Sequence, residues 1–367
     1  MSFGQRFKWF EMETLRNNQI VITGMGMMTP VGHNAWQACA SIRADMVRIE
    51  EIDILEYYPV FGCPVSGVTD GYIGKSRLKI LASHAINDLM TNTQLTASDM
   101  KDARIYIAVP PLDRWGLDKN TADFIIHGLC KDNPLLKGME NQILLFPEGH
   151  AAGASAIKEA IKALNTDEIQ YAIVGGVDSL VDIDTLLFYF KKERIKYHDN
   201  PYGFMPGEAS AFILLEKQVH ANSRKAEIIS LIMSANVGTE IITIWSENPS
   251  IGTGLSEVIR KTFSDLSDNG IYTGSVICDL NGELYRAKEF SYAVPRILKN
   301  ITTNWRLIHS ASNLGDTGAA SFIVSICTGA RSLSRGYAKT DNILICGSSD
   351  DGLRGSVYLR KYLNQEV

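Results

Sequence analysis

Short runs of β-branched and other apolar residues recur along the chain, each bounded by Gly, Pro or Asp. Such runs predict β-strands. Most are apolar at every position rather than at alternate positions, which indicates strands covered on both faces. The predicted strands are residues 20–23, 105–109, 143–146, 172–175, 211–215, 228–232, 276–279, 343–346 and 356–359.

Segments with helical spacing of apolar residues lie between these runs. They are residues 35–43, 79–92, 151–164, 256–266 and 318–330. Strands that alternate with helices in this way predict a layered α/β architecture.

The order of these elements indicates a duplicated plan. Each half opens with a strand, passes through helices to a central strand and closes with an adjacent strand pair. The small-residue helix 151–164 in the first half has a counterpart at 318–330 in the second. We place the break at the polar stretch 217–225. The predicted division is an N-terminal arm over residues 1–18, a first half over 19–217 and a second half over 226–364.

Composition narrows the function classes. Of the 367 residues, 45% are apolar and 21% charged, with a net charge of −5 and no long basic run. This balance favours neither nucleic acid nor an anionic membrane as a partner. No apolar run is long enough to cross a bilayer, and the N-terminal segment does not have the pattern of a secretory signal.

Six cysteines are scattered along the chain without a CxxC pair or a histidine at metal-ligand spacing. In a chain of this size they predict reduced, buried thiols rather than a disulfide framework or a zinc site. We therefore expect a cytoplasmic protein, and the pattern predicts no cofactor and no metal. Gly24 and Gly26 follow a strand, as in a dinucleotide-binding turn, but the third glycine is missing and Pro30 stands where the helix would begin.

Three segments together resemble one family. VITGMGMMTPVG (21–32) is similar to the opening strand and turn of β-ketoacyl synthases, in the thiolase superfamily. AIVGGVDS (172–179) resembles that family's central strand and Gly-Gly turn, and GFMPGEA (203–209) its Gly-Phe-x-x-Gly-Glu-Gly segment. The resemblance extends from about residue 20 to 360. It implies a thiolase-like α/β fold, with two pseudo-symmetric halves in an α-β-α-β-α arrangement of layers.

The positions that carry the family's chemistry differ. Ketosynthases place a nucleophilic cysteine in Ala-Cys-x-x-Gly-x-x-Ala-Ile, and the matching segment here is GHAAGASAI (149–157), so His150 stands at the nucleophile's position. The family's two histidines correspond to Glu283, give or take one residue, in DLNGEL (279–284), and to Asp316 in GDTGAA (315–320). The C-terminal Gly-Phe-Gly gate is replaced by GSSDDG (347–352), which makes Ser348 and Ser349 candidate substrate-binding residues.

These replacements bear on the reaction that the resemblance implies. Condensation needs an acyl acceptor and donors that stabilise a thioester enolate. Ionised Glu283 and Asp316 would place negative charge where negative charge develops. A helix N-terminus disfavours the protonated form of an imidazole, so we expect a neutral His150. It either fills the channel floor or acts as a base oriented by Glu283 or Asp316.

The resemblance implies two functional classes. Ketosynthases keep Cys-His-His, whereas chain-length factors keep the fold, lose the cysteine and pair with an active ketosynthase. The pattern favours a catalytically inert, chain-length-factor-like subunit of type II polyketide or fatty-acid biosynthesis, with an active ketosynthase and an acyl carrier protein as partners. Chain-length factors typically carry glutamine where this chain has His150. The alternatives are a free-standing acyl-thioester enzyme using His150, and a homodimer that binds an acyl carrier protein without catalysis. The family's dimer interface implies that residues 113–139 either lie near the partner and its acyl tunnel or simply fill the core.

Overall fold

The computed structural model describes residues 18–53, 59–266 and 273–363; the predicted arm lies outside them except for residue 18. The strands are β1 (Ile20–Met28), β2 (Glu50–Asp53), β3 (Pro59–Gly62), β4 (Ala103–Ala108), β5 (Ile143–Phe146), β6 (Tyr171–Ser179), β7 (Glu208–Lys217), β8 (Ser230–Thr239), β9 (Thr273–Ile277), β10 (Ile301–Ile308), β11 (Asn342–Ser348) and β12 (Leu353–Lys361). The helices are α1 (Ala35–Arg43), α2 (Gly74–Thr93), α3 (Thr121–Asp132), α4 (Ala152–Asn165), α5 (Ile183–Lys191), α6 (Gln218–Ser223), α7 (Thr253–Ser264), α8 (Leu284–Ile297), α9 (Ala311–Leu314) and α10 (Ser321–Ser334).

The larger sheet repeats one strand order. Within the described residues its order is β10-β9-β11-β12-β8-β1-β7-β6-β4-β5. Read from one edge to the centre, the N-terminal strands of this sheet follow the order β5-β4-β6-β7-β1. Read from the other edge to the centre, the C-terminal strands follow the order β10-β9-β11-β12-β8. In each set the edge strand is third along the chain and the central strand is first. Antiparallel pairing of β1 with β8 joins the two sets at the centre. The two halves of the sheet therefore have the same topology.

The layers follow from what each helix covers. α2 packs on β1, β6 and β7, and α7 packs on β8, β11 and β12, so each helix covers the outer face of its own half. α4 and α10 contact strands of both halves. The central core contains side chains from these two helices and from both strand sets, such as Ile157, Ile213, Ile323 and Val357. This is the predicted α-β-α-β-α order.

Each strand and helix predicted from the sequence overlaps an observed one, whereas several observed elements were not predicted. Strand β10 was missed because it lies at the sheet edge and is mostly exposed, so residues such as Thr302 and Asn304 interrupt its apolar pattern. Among the missed helices, α8 is amphipathic but contains Pro295, which argues against a helix when only the sequence is known. Helix α6 occupies most of the stretch 217–225.

The two central helices begin side by side. A 3-10 turn, Gly149–Ala151, precedes α4, and a second turn, Gly318–Ala320, precedes α10; the two turns contact each other. Because the halves are related in topology, residues just before α4 and just before α10 converge from positions far apart in sequence. This convergence brings His150 next to Asp316.

Gly176 in β6 sets how closely the turn before α10 approaches the sheet. A Cβ at this position would lie 2.7 Å from the carbonyl oxygen of Ala319, and a backbone atom cannot move aside as a side chain can. We expect Gly176→Ala to lower the free energy of unfolding by about 1–3 kcal/mol, measured by urea denaturation. The matched control is Gly238→Ala in β8, where the nearest atom would be the Cβ of Val258 at 3.5 Å. It should leave stability unchanged or raise it by up to about 1 kcal/mol, and equal losses at both positions would contradict the prediction.

Candidate functional site

His150 lies in the 3-10 turn before α4 and is only 6% exposed. Its Nε2 atom is 2.8 Å from Oδ1 and 3.0 Å from Oδ2 of Asp316. The carboxylate also accepts hydrogen bonds from the backbone N–H of Gly318 at 2.8 Å and from Nδ2 of Asn281 at 2.6 Å. The carboxylate of Asp316 is therefore fully surrounded by donors.

The backbone of Asp316 is fixed as well. Its N–H donates to the carbonyl of Met205 at 2.7 Å, and its carbonyl accepts from the N–H of Gly207 at 2.8 Å. Both partners belong to the segment GFMPGEA. The Gly-rich segment that carries part of the family resemblance thus positions the residue that binds His150.

The contact between His150 and Asp316 shifts the pKa of both groups towards their charged forms. Burial lowers the pKa of His150, but the Asp316 carboxylate outweighs it, and the net pKa is raised above 6.5. Burial alone would raise the pKa of Asp316, yet His150, Arg286 and Asn281 hold it well below its usual range. The direction of this shift is opposite to the one expected from the helix terminus, because the Asp316 carboxylate in direct contact with His150 favours the protonated ring.

Because of these two pKa shifts, the pair stabilises the folded state only between a lower pH limit set by Asp316 and an upper pH limit set by His150. The contribution from His150 is complete below about pH 6.5, the ordinary pKa of histidine, and is lost as the pH rises through the raised pKa of the folded state. The contribution from Asp316 is lost only as the pH falls through its lowered folded-state pKa.

Glu283 does not contact His150, although the sequence placed it at a histidine position of the family, give or take one residue. Its carboxylate pairs with Arg194 through two hydrogen bonds, Nε to Oε1 at 2.7 Å and Nη2 to Oε2 at 2.9 Å. The side chain beside Asp316 is that of Asn281, whose Nδ2 also donates to Oε2 of Glu283 at 2.9 Å. Glu283 is therefore one residue removed from the pair rather than part of it.

A chain of further ion pairs extends from Arg194. Its guanidinium contacts the carboxylate of Asp350 at 2.7 and 3.2 Å, and Arg286 contacts the same carboxylate at 3.0 Å. Arg286 also donates to Asp279 at 2.7 Å and to the carbonyl of Ser348. Burial would raise the pKa of Asp350, but Arg194 and Arg286 hold it well below its usual range. We call His150, Asp316, Asn281, Glu283, Arg194, Asp350, Arg286 and Asp279 the buried charge network.

Ser348 and Ser349 are both 3% exposed, and each side chain has a partner within the protein. The hydroxyl of Ser348 donates to Oε2 of Glu289 at 2.7 Å. The hydroxyl of Ser349 accepts from the N–H of Ala151 at 2.9 Å, which fixes the turn that carries His150. Both candidate substrate-binding residues thus have structural contacts in this state of the protein.

A cavity of about 240 Å³ opens over His150. Its walls combine four aromatic side chains with charged groups: Trp115, Phe188, Tyr189, Trp245, Asp113, Arg114, Glu148, Asp178, Asp350 and Asp351. Most of the charged groups deep in the wall are paired, as Arg114 is with Asp178 at 2.7 Å. The cavity therefore gives access to the imidazole of His150, which is hydrogen-bonded to Asp316.

None of the six cysteines offers an alternative nucleophile. All six are buried and free. Burial raises the pKa of Cys39 and of Cys63 to about 12, and that of Cys130 to about 11. It raises the pKa of Cys278, Cys327 and Cys346 further. A thiol with such a pKa is protonated at neutral pH and cannot accept an acyl group readily.

Sequence reasoning missed Arg194, Arg286 and Asn281. Arg194 lies in the loop after α5, a helix that the apolar pattern did not predict, and nothing local links it to Glu283. Arg286 offered a weak signal, since it follows Glu283 by three residues and so shares a face of α8 with it. The two carboxylates of the gate segment, Asp350 and Asp351, indicated that cations should lie nearby.

Arg194 neutralises two buried carboxylates, so its loss should be costly. We expect Arg194→Met, which keeps the aliphatic stem, to lower the free energy of unfolding by about 3–5 kcal/mol because Glu283 and Asp350 lose their shared cation. The control is Arg104→Met, which removes an exposed pair with Glu168 and should cost less than about 1 kcal/mol. Urea denaturation measures both, and similar small losses would show that the network contributes little.

Comparisons with known proteins identify the scaffold. No protein-family model matches the chain. A protein of Schizosaccharomyces pombe named as a mitochondrial 3-oxoacyl-acyl-carrier-protein synthase is 23% identical, over 84% of this chain and 85% of that protein.

Two solved structures each match with a TM-score of 0.78, over 95% of this chain and 100% of theirs. One, 16% identical, is the ishigamide ketosynthase/chain length factor. The other, 13% identical, comes from a type II PKS acyl-carrier protein in complex with its ketosynthase bound to the hexaketide. The predicted fold class is confirmed: the chain has the thiolase-like fold of the ketosynthases, and its curated relatives are 3-oxoacyl-acyl-carrier-protein synthases.

Proposed function

We propose that the chain is a catalytically inert, ketosynthase-like subunit of type II polyketide or fatty-acid biosynthesis. In this role it pairs with an active β-ketoacyl synthase and shapes the tunnel for the growing acyl chain. The observation that carries the proposal is the buried contact between His150 and Asp316 at the position that the family resemblance gives to the nucleophile. Asp316 occupies Nε2 of His150, and the raised pKa of the ring favours an imidazolium, which has no free lone pair to accept an acyl group or remove a proton.

The surrounding charges also oppose the family's reaction. Decarboxylative condensation develops negative charge on a thioester enolate, which needs donors directed at it. The ionised Asp316 carboxylate stands where the family has a histidine, and its own oxygens already accept three donors. Stabilising an enolate there would require protonation of Asp316, and its lowered pKa disfavours that form.

A free sheet edge supports pairing with a second chain. β5 ends the larger sheet and pairs only with β4 among the described strands. Leu144 in β5 is 42% exposed, and Trp115 and Phe124 in the predicted interface segment 113–139 are exposed as well. An exposed strand edge with apolar side chains favours addition of a partner strand. We assign this edge to the active ketosynthase, or to a second copy of this chain where no ketosynthase is present.

The acyl carrier protein enters the proposal as the donor of the acyl chain. One structural neighbour is a ketosynthase in complex with such a protein, which is consistent with this role but says nothing of where it would bind here. Among the described residues, no helix is long and apolar enough to cross a membrane. The cytoplasmic location stays a prediction, since one relative is named as mitochondrial.

The second candidate function is a free-standing acyl-thioester enzyme. It is favoured by the geometry of the dyad, because Nε2 of His150 bonds to Asp316 at 2.8 Å and the ring lines a cavity of about 240 Å³. In that case the imidazolium would act as a general acid. The proposed inert subunit and this enzyme differ in whether removal of the imidazole abolishes turnover.

The pairing experiment co-expresses the chain with a ketosynthase that retains Cys-His-His and is encoded beside it. We expect a stable complex, and we expect Leu144→Arg to abolish copurification because it places a charge on the β5 edge. Leu298→Arg, at an equally exposed leucine before the opposite edge strand, should leave the complex intact. Failure of the unaltered chain to copurify would contradict the pairing proposal.

The second arm measures acyl-thioester turnover by the purified complex and by the chain alone. We expect His150→Ala in this chain to leave product formation by the complex within about twofold, and the chain alone to release no product. If the chain alone hydrolyses or decarboxylates an acyl thioester and His150→Ala abolishes that turnover, the enzyme reading replaces the inert subunit.

A further inference from the structure

A hollow lined by three arginines lies at the far end of the central layer from His150. It has a volume of about 360 Å³ and is formed by one side of α1, the C-terminal part of α10 and the residues that follow α10. We define the arginine hollow by its lining residues Trp36, Ala40, Arg43, Ala44, Arg331, Arg335 and Tyr337. Since α10 spans 14 residues, its two ends are about 20 Å apart, which separates the hollow from the turn before α10.

Two of the arginines are held by aromatic rings. The guanidinium of Arg331 lies over the ring of Trp36 at 4.1 Å, and that of Arg43 lies over the ring of Tyr337 at 4.4 Å. Stacking on an aromatic face fixes a guanidinium without using its in-plane N–H donors. These donors stay available at the edges of both groups. The rings therefore position the cations rather than neutralise them.

No carboxylate lines the hollow, and within the described ranges none of its arginines forms an ion pair with Asp or Glu. This contrasts with Arg194 and Arg286, each of which contacts at least two carboxylates. The three cations are also close together. Burial raises the pKa of Tyr337 to about 12, while all three arginines act on the same hydroxyl in the opposite direction.

We infer that the arginine hollow binds the phosphoryl group of a small soluble molecule. This inference is independent of the proposed ketosynthase-like role. A single carboxylate satisfies one guanidinium through two hydrogen bonds, whereas a phosphate monoester carries three acceptor oxygens and a charge of about −1.5 to −2 at neutral pH. Three converging guanidiniums match the second kind of anion. The volume of the hollow lies within the range of about 300–1,000 Å³ found for small-molecule sites.

Two of the arginines in the arginine hollow also stabilise the helices that carry them. Arg43 is in the last turn of α1 and Arg331 in that of α10, where cations stabilise the negative end of a helix. That effect does not require the charges of two helices to meet across one hollow, nor does it require aromatic rings beneath them. The convergence and the stacking are the features that indicate a ligand.

The test is calorimetric titration of the full-length chain with pyrophosphate and, separately, with inorganic phosphate. We expect both to bind, pyrophosphate more tightly, and Arg335→Ala to weaken binding at least tenfold. Arg335 is exposed and has no partner among the described residues, so its loss should leave the fold intact, checked by the thermal midpoint. Arg260→Ala removes an exposed arginine on α7, outside the hollow, and should change affinity less than twofold.

Two further variants separate a built site from a merely positive surface. Arg335→Lys keeps the charge and loses the planar fork, and Trp36→Leu keeps every charge and removes the ring beneath Arg331. We expect each to weaken pyrophosphate binding at least threefold. Undetectable binding by the unaltered chain, equal losses in Arg335→Ala and Arg260→Ala, or full affinity in both charge-preserving variants would overturn the inference.

Discussion

The buried contact between His150 and Asp316 is the interaction to which the surrounding buried polar and charged side chains are linked. Both groups are buried, and taking two charges out of water costs several kcal/mol per ion unless hydrogen bonds replace the lost hydration. In this structure each charged group of the buried charge network is hydrogen-bonded to a neighbouring polar or charged side chain. Asn281 joins Asp316 to Glu283, and Arg194 joins Glu283 to Asp350. Asp350 contacts both Arg194 and Arg286, and Arg286 contacts both Asp279 and Asp350, so neighbouring charges in the network share partners.

The duplicated topology explains why this pair can exist at all. The two central helices begin next to each other, and the residue before each of them faces the other across the contact between two short turns. The backbone N–H of Gly318, in the turn before α10, donates to Asp316. This donor stabilises the carboxylate, which in turn favours the protonated form of His150.

The sequence predicted the scaffold better than the site. Strands buried on both faces are continuous apolar runs and could be read directly, and the Gly-rich landmarks set the register that placed His150 and Asp316. Of the two residues expected to orient His150, Asp316 contacts it, whereas Glu283 pairs with Arg194 and is joined to Asp316 through Asn281. Arg194 could not be predicted, because it meets Glu283 only through tertiary packing across 89 positions of sequence. The sequence also placed Asp316 among the residues that could orient His150, but it did not show that this contact would outweigh the effect of the helix terminus on the pKa of the ring.

The effect of Asp316 on the pKa of His150 can be measured by NMR titration of the His150 ring in the full-length chain with ¹⁵N-labelled histidine. We predict that the pKa of the ring lies above 6.5, the ordinary value for histidine, and that Asp316→Asn lowers it because the carboxylate that opposes the effect of burial is removed. If the ring is neutral at pH 6.5 and its pKa does not change in Asp316→Asn, Asp316 does not stabilise the protonated form of His150.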